Sequence, residues 1–124
     1  MFSVGSDILK IERIAKIIEK SPRFVEKCYG RDEIEYLKSI NYRAQTVAGM
    51  FCAKEAFSKA IGTGVVGFAL KEVQVLHDDK GAPYLELSGK AKSLADELSV
   101  SFSVSISHTE DTAMAVVMAF PKTV

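Results

Sequence analysis

The strictest pattern in this sequence of 124 residues is an alternation close to its C-terminus. Serine stands at every second position from Ser101 to Ser107, and the positions between and after the serines hold Phe102, Val104, Ile106 and His108. Side chains on a β-strand alternate between its two faces, so this pattern predicts a strand with one buried and one polar face. A turn over 109–111 follows, and the run from Ala113 to Phe120 is apolar on both faces, which predicts a central strand.

The N-terminal third predicts one short strand followed by helices. Phe2 to Asp7 is the strand candidate, and after it isoleucine recurs at helical spacing, at Ile8, Ile11, Ile14, Ile17 and Ile18. Ser21-Pro22 predicts the start of a second helix with Ser21 as its N-cap, and Gly30 predicts the end of that helix. Asp32 is then expected to cap a third helix, which carries Ile34, Leu37 and Ile40.

The middle of the chain predicts one long helix and a hairpin. The helix is expected from about Arg43 to about Ile61, with Gly62 at its C-terminal end. Val73–His77 and Pro83–Leu87 are rich in β-formers, and the turn residues between them predict a hairpin. A last helix carries Ala91, Leu94, Ala95 and Leu98. Helices that precede most of the strands indicate a single α+β domain over 1–124 with a mainly antiparallel sheet.

Composition excludes several classes of function. The 16 basic and 16 acidic residues cancel, so nothing indicates a whole-domain attraction to nucleic acid. No apolar stretch approaches the length of a membrane helix, and the first residues are not typical of a signal peptide, so we expect a cytoplasmic protein. Cys28 and Cys52 show no zinc-ligand spacing, and two reduced thiols are expected.

Two carboxylates and a lysine are the first candidates for chemistry. Asp7 ends an apolar strand, where it could bind a hard cation or, alternatively, cap the following helix. Glu55 and Lys59 are four residues apart and share one face of the long helix. They could form a surface salt bridge, or bind a metal and a phosphate beside the loop formed by Gly62, Thr63 and Gly64. That loop lacks the spacing of a Walker A phosphate loop.

Two further patterns leave alternatives open. His108 follows Ser107, but neighbouring strand residues point to opposite faces and no G-x-S-x-G motif is present, which excludes a hydrolase triad here. His108 is therefore a structural or ligand-contacting residue. A basic stripe on the first helix is a solvated surface or a docking site for an acidic partner; it comprises Lys10, Arg13, Lys16 and Lys20.

These motifs, taken in order, resemble the 4′-phosphopantetheinyl transferase family, in particular its small holo-[acyl-carrier-protein] synthases. The segment Gly5-Ser6-Asp7-Ile8 resembles the family's opening motif, and Phe51 to Gly64 resembles its second signature, F-x-x-K-E-A-x-x-K-A-x-G-T-G. Gly81-Ala82-Pro83 resembles its hairpin, and Ser105 to Thr109 resembles its C-terminal strand. Gly89-Lys90-Ala91 also fits, so the resemblance covers nearly the whole chain.

The resemblance implies a fold, a reaction and a set of site residues. The family transfers 4′-phosphopantetheine from coenzyme A to a serine of acyl carrier protein for fatty acid synthesis and releases 3′,5′-ADP. Magnesium, with manganese as an alternative, would be held by residues matching Asp7 and Glu55. Residues matching Arg13 and Lys10 would face the carrier protein, and a homotrimer would form its sites between subunits. The family residues that surround the coenzyme match six positions of this chain, namely Lys59, Gly62, Thr63, Gly64, Pro83 and His108.

One position departs from the family pattern, and other functions remain open. Many relatives have an arginine that helps to hold a coenzyme phosphate where this chain has Met50. The proton of the attacking serine could pass to Glu55 or to a water that the metal holds beside it. The alternatives are a divalent-metal phosphohydrolase, which would need no carrier protein, and a coenzyme-binding module without turnover.

Overall fold

Residues 1–123, which the computed structural model describes, form five strands, five α-helices and one short 3-10 helix. Their order is β1 (Ser3–Lys10), α1 (Ile11–Lys20), α2 (Phe24–Cys28), α3 (Arg31–Ser39), α4 (Ala44–Ile61), the 3-10 helix (Leu70–Glu72), β2 (Val73–His77), β3 (Pro83–Leu87), α5 (Gly89–Leu98), β4 (Val100–His108) and β5 (Thr112–Pro121). The expected α+β architecture is confirmed. None of the described helices has the length and apolarity needed to cross a membrane.

The strands form two antiparallel sheets. The larger sheet has the order β1-β5-β4, so β5 is central as its apolar sequence predicts. In this sheet Ala115 of β5 pairs with Asp7 of β1 on one side and with Ile106 of β4 on the other. The smaller sheet is the predicted hairpin of β2 and β3, in which Val73 pairs with Leu87 and His77 pairs with Pro83.

Helix α4 packs against the inner face of the larger sheet and forms the centre of the core. The inward side chains of β5 are small and fully buried, which leaves room for a helix to approach the sheet closely; they are Ala113, Ala115, Val117 and Ala119. Twelve of the 18 residues of α4 are buried, including the polar residues Lys54 and Ser58, so this helix is enclosed on nearly every side.

Gly5 on β1 makes the closest contact with α4. A Cβ atom built at Gly5 would lie 2.1 Å from the carbonyl oxygen of Ala56 and 2.6 Å from the amide nitrogen of Ala60. Real Cβ atoms do not approach backbone atoms this closely, so only glycine lets β1 pack directly onto the helix. This contact brings the strand residues after Gly5 beside the last two turns of α4.

A buried ion pair holds the opposite side of α4. Lys54 and Glu33 have fully buried side chains, and the Lys54 ammonium nitrogen lies 2.6 Å from Glu33 Oε1. Lys54 also donates hydrogen bonds to the carbonyl oxygens of Leu70 and Val73. The Glu33 carboxylate accepts hydrogen bonds from the amides of Gly30 and Val75. All three ammonium protons and both carboxylate oxygens are thereby satisfied, as a buried pair requires.

Several predicted helix boundaries were wrong. Ile8 belongs to β1, because that strand pairs with β5 as far as Lys10, and α1 begins only at Ile11. Ser21 does not start the second helix: its amide donates to the carbonyl of Ile17 at the end of α1, and α2 begins at Phe24.

The two predictions around α3 also failed. Gly30 does not end α2; it precedes α3, where its amide donates to the Glu33 side chain. Asp32 is not the N-cap but lies in the first turn of α3, and its amide donates to the side-chain oxygen of Gln74. Gly30 is bound by its near neighbour Glu33, whereas the partner of the Asp32 amide, Gln74, is distant in the sequence and is not revealed by local patterns.

The outer face of the larger sheet is apolar and open. Along β1 and β5 this face presents side chains that are between 37% and 68% exposed, namely Val4, Ile8, Met114 and Met118. The serines of β4 continue the same face, since Ser103 pairs with Met118 and Ser107 with Met114. Exposed apolar patches of this kind are typical of protein–protein contact sites.

The close packing of β1 predicts that Gly5→Ala strongly destabilises the protein. The added methyl group would overlap the α4 backbone, and we expect the free energy of unfolding to fall by about 3 kcal/mol, the upper part of the range for overpacked cores. Urea denaturation measures this loss. Ser6→Ala, at an exposed position of the same strand, is the control and should change stability little. Equal stability of the two variants would contradict the proposed contact.

Candidate functional site

Asp7 and Glu55 line one cavity between β1, α1 and α4. The cavity has a volume of about 290 Å³, and Arg13 also lines it. The rest of its wall is mostly apolar and comprises Ile8, Leu9, Ile14, Ile17 and Phe51. Asp7 ends up here because Gly5 packs against α4, and Glu55 because it lies one helical turn after Phe51 on the same face. The two carboxylates that the sequence singles out therefore meet in space.

Lys59 lies next to the same strand. Its ammonium nitrogen is 2.9 Å from the carbonyl oxygen of Ser6 and 3.4 Å from Asp7 Oδ1. The Lys59 side chain is 54% exposed, whereas that of Asp7 is 20% exposed. The lysine can therefore move towards a ligand in solvent at little cost, while the carboxylate of Asp7 is held in place.

Electrostatic repulsion acts on Glu55. Burial raises the pKa of Glu55, the nearby carboxylate of Asp7 raises it further, and Lys59 partly opposes the rise. Two like charges in a partly buried cavity favour a proton or a cation as the third partner. The pair therefore makes this cavity a candidate site for a cation.

Cys52 is a neighbour of this site that the sequence did not indicate. Its side chain is fully buried, and the thiol donates a hydrogen bond of 3.6 Å to the carbonyl oxygen of Ala113. Burial and the carboxylate of Asp7 raise the Cys52 pKa to about 12, so the thiol stays neutral. Both cysteines are free thiols.

The chemistry of the donors fits a hard divalent cation. Asp7 and Glu55 supply carboxylate oxygens only, and residues 1–123 contain no group of three or more His, Cys, Asp or Glu side chains arranged for a metal. Magnesium is commonly bound by one or two carboxylates and completes its shell with water and substrate phosphates. Asp7 and Glu55 could therefore hold magnesium, with the remaining ligands supplied by a phosphate-containing substrate.

The glycine-rich loop begins where α4 ends, one turn beyond Lys59. Gly62 and Gly64 have positive φ angles of 87° and 62°, which other residues rarely adopt. The amide of Gly64 donates to the carbonyl of Ser58, so the chain folds back over the last turn of the helix. Thr63 is exposed between the two glycines. The loop thus lies at the C-terminal end of α4, about one turn from Lys59.

Pro83 and His108 lie in a different cavity. This second cavity has a volume of about 270 Å³ and extends between α3, α4, the hairpin and β4. It is also lined by Met50, the residue at the position of the family arginine, whose side chain is buried. No described residue lines both cavities. Within a single chain, therefore, Pro83 and His108 lie in a different cavity from Asp7 and Glu55.

The basic stripe is only partly available to a partner. Lys16 forms an i,i+4 ion pair with Glu12 at 3.2 Å, which neutralises part of the stripe. Lys10 and Arg13 are exposed at the end of β1 and on the first turn of α1. Of the four basic residues of the stripe, only Arg13 lines the cavity that contains the two carboxylates.

The repulsion between the two carboxylates predicts that Glu55→Gln stabilises the protein when no divalent cation is present. The pKa of Glu55 is raised on folding, so its contribution to stability is greatest below the unfolded pKa and decreases as the pH rises through the folded pKa. Thermal unfolding in a chelator should give a higher Tm for the variant at pH 7 and equal values near pH 4. Glu86→Gln, at an exposed position on β3, is the control. A lower Tm at pH 7 would contradict the account.

Comparison with known proteins agrees with this architecture. A family model described as the 4′-phosphopantetheinyl transferase superfamily matches residues 3–117. A holo-[acyl-carrier-protein] synthase of Caldanaerobacter subterraneus subsp. tengcongensis is 43% identical over 94% of this chain and 92% of that protein.

Solved structures give the same result. The structure of the Plasmodium yoelii acyl carrier protein synthase with ADP bound superposes with a TM-score of 0.89 at 30% identity, covering 98% of this chain and 96% of that one. A holo-(acyl-carrier-protein) synthase from Bacillus anthracis in complex with CoA (3′,5′-ADP) gives 0.82 at 32% identity, with coverage of 97% and 96%. The fold and the order of the sequence motifs lead to one conclusion, that this chain belongs to the 4′-phosphopantetheinyl transferase superfamily.

Proposed function

We propose that this protein transfers the 4′-phosphopantetheine group of coenzyme A to a serine hydroxyl of an apo acyl carrier protein. The observation that carries the proposal is the meeting of Asp7 and Glu55 in one cavity, with Lys59 in contact with Asp7. These are the positions that match the metal-binding and phosphate-binding residues of the family. The similarity to holo-[acyl-carrier-protein] synthases over more than nine-tenths of the chain supports the same reaction.

In this mechanism Asp7 and Glu55 would hold magnesium. When bound, the ion would neutralise the charge of the coenzyme A pyrophosphate. Lys59 adds a positive charge beside the phosphates, and its exposed side chain can exchange the Ser6 carbonyl for a phosphate oxygen. The loop of Gly62, Thr63 and Gly64 offers backbone amides to the same group.

The reaction exchanges a phosphoanhydride bond for a phosphoester bond. The serine oxygen of the carrier protein bonds to the β-phosphorus, and the bond from that phosphorus to the bridging oxygen breaks, which releases 3′,5′-ADP. Glu55, directly or through an adjacent water, accepts the serine proton. The apolar wall of the cavity, which includes Leu9, Ile14 and Phe51, limits access of bulk water and so disfavours hydrolysis.

The carrier protein docks on the exposed start of α1. Arg13 lines the reaction cavity and Lys10 is close to it in the chain, so both can meet acidic side chains of the partner. Such charges mainly accelerate and orient encounter. The reaction is assigned to the cytoplasm, where it would supply holo carrier protein for fatty acid synthesis.

The active form is a homotrimer with sites between subunits. Two features support an assembly: the open apolar face of the larger sheet, and the separation of Pro83 and His108 from Asp7 and Glu55 within one chain. A second copy that contributes its Pro83 and His108 would complete the coenzyme site, and the family resemblance supports three copies.

Mass spectrometry of an apo carrier protein tests the proposed function directly. Incubation with this protein, coenzyme A and magnesium should add the mass of phosphopantetheine, and a chelator should prevent the gain. Breakdown of coenzyme A without any carrier protein would indicate a phosphohydrolase instead. Binding of coenzyme A with neither reaction would indicate a module without turnover.

Substitution of either carboxylate should abolish most of the transfer. Asp7→Asn or Glu55→Gln removes a charged ligand, and we expect the rate at saturating substrates to fall roughly 10²–10³-fold, as for loss of one preorganised electrostatic contact. The same assay with Glu86→Gln, whose carboxylate is exposed on β3, should give the unaltered rate. Full activity of both site variants with normal magnesium dependence would remove the pair from the mechanism.

Replacement of Arg13 should weaken the interaction with the carrier protein and leave that with coenzyme A unchanged. Arg13→Ala is expected to raise the KM for the carrier about fivefold, as for one partly screened charge pair, and to leave the KM for coenzyme A unchanged. The difference should shrink as salt is added. Arg23→Ala, which removes an exposed arginine outside the cavity, is the matched control. Equal carrier kinetics for both variants across a salt series would reject docking at Arg13.

A further inference from the structure

The buried ion pair of Lys54 and Glu33 fixes one side chain of α4 in a single position. Besides Glu33, the Lys54 ammonium donates to the carbonyl oxygens of Val73 at 2.7 Å and Leu70 at 3.1 Å. It also lies 4.9 Å from the centre of the Tyr29 ring. Because the Lys54 side chain is fully buried and its three protons are occupied, it cannot contact a substrate. Any effect of Lys54 on the reaction is therefore indirect.

The Glu33 carboxylate is held just as firmly. Its two oxygens accept hydrogen bonds from the amides of Gly30 at 2.9 Å and Val75 at 2.8 Å. The pair therefore joins α4 to the start of α3 and to β2. Hydrogen bonds weaken steeply away from their preferred angle, whereas apolar contacts have no direction, so the pair resists rotation of the helix about its axis.

The rest of α4 has few side chains that could prevent such a rotation. Helices interlock through ridges of side chains, and small residues form shallow ridges. Gly5 on β1 has no side chain, so its contact sets how close the strand comes to α4 but not the rotation of the helix. Seven of the twelve buried residues of α4 are small, namely Ala48, Gly49, Cys52, Ala53, Ala56, Ser58 and Ala60.

The direction of Glu55 depends on this rotation because Glu55 follows Lys54 directly. Successive residues of an α-helix point about 100° apart, so the fixed position of Lys54 determines where the Glu55 side chain points. In this structure it points into the cavity that Asp7 also lines. A displacement of about 1 Å at a reacting group can reduce a rate roughly a hundredfold.

We propose that Lys54, anchored by Glu33, is a positioning residue for Glu55, and that the pair sets the rotation of α4 at which Glu55 and Asp7 share one cation. The inference rests on the proposed function, because that function needs the shared cation. Replacement of a buried ion pair by apolar residues is often neutral or even stabilising, so stability alone does not account for these charges. Alignment of the adjacent carboxylate does.

Binding of Mn²⁺ in the presence of coenzyme A, without carrier protein, tests the proposal in the absence of turnover. Electron paramagnetic resonance measures the free ion. Lys54→Met keeps the length of the side chain but removes its three donated hydrogen bonds. We expect the Kd for Mn²⁺ to rise about tenfold, the lower end of the range for residues that orient a metal ligand. In the transfer assay kcat should fall by a similar factor, while the KM for the carrier stays within about twofold.

Two further variants separate alignment from stability. Val100→Ala truncates a buried side chain at the start of β4, outside both cavities, and should lower the Tm without changing the Kd for Mn²⁺. Glu33→Asp keeps both charges but shortens the carboxylate side chain by one methylene group, and should raise the Kd about threefold. Glu33→Asp decides the test if Lys54→Met does not fold.

Three results would overturn the inference. The first is an unchanged Kd for Mn²⁺ in a Lys54→Met protein, or failing that a Glu33→Asp protein, whose circular dichroism shows it folded. The second is an equal rise of the Kd in Val100→Ala, and the third is an absence of Mn²⁺ binding by the unaltered protein. If Mn²⁺ binding depends on Lys54 but no carrier is modified, the proposed transfer fails and the positioning role stands; carrier modification with no effect of Lys54→Met gives the reverse.

Discussion

The close approach of β1 to α4 at Gly5 is the constraint on which the site depends. A strand and a helix normally keep side chains between them, but here the glycine lies against the backbone of Ala56 and Ala60. The strand continues directly to Asp7, and the helix carries Glu55 and Lys59 within one turn of the contact. Side chains that are about 50 positions apart in the sequence therefore share one cavity without any loop to position them, which gives the rigidity that a catalytic constellation needs.

Two adjacent residues of α4, Lys54 and Glu55, each lie close to a charged residue of another element, but the two pairs differ in character. Lys54 and Glu33 are fully buried, and every polar atom of the pair has a partner, so this pair ties α3 and β2 to the helix. Glu55, the next residue along, shares a cavity with Asp7, and its pKa is raised first by burial and then by the like charge of Asp7. The polar atoms of the first pair are all satisfied within the protein, whereas the second brings two like charges together in a cavity. This contrast between adjacent residues marks the second pair as a candidate functional site.

Sequence patterns predicted what depends on local periodicity and failed where distant contacts decide. The hairpin, the end of α4 at Gly62 and the central position of β5 follow from alternation and turn chemistry. The start of α3 could not be predicted in this way, because the amides of Asp32 and Glu33 donate to the side chain of Gln74 on the distant hairpin. Family resemblance singled out Asp7 and Glu55, but the reason they meet lies in the backbone contact at Gly5. The pairing of Lys54 with Glu33 was not visible at all, since it joins two helices across 21 positions of the sequence.

The central claim is that the Gly5 contact creates one cation site shared by Asp7 and Glu55. Crystals grown with coenzyme A and Mn²⁺, measured for anomalous scattering, test it most directly. The account predicts one strong peak at a distance of about 2.1 Å from a carboxylate oxygen of each residue and from a coenzyme phosphate oxygen. A peak bound to only one of the two carboxylates, or a fully occupied coenzyme with no peak between them, would contradict it.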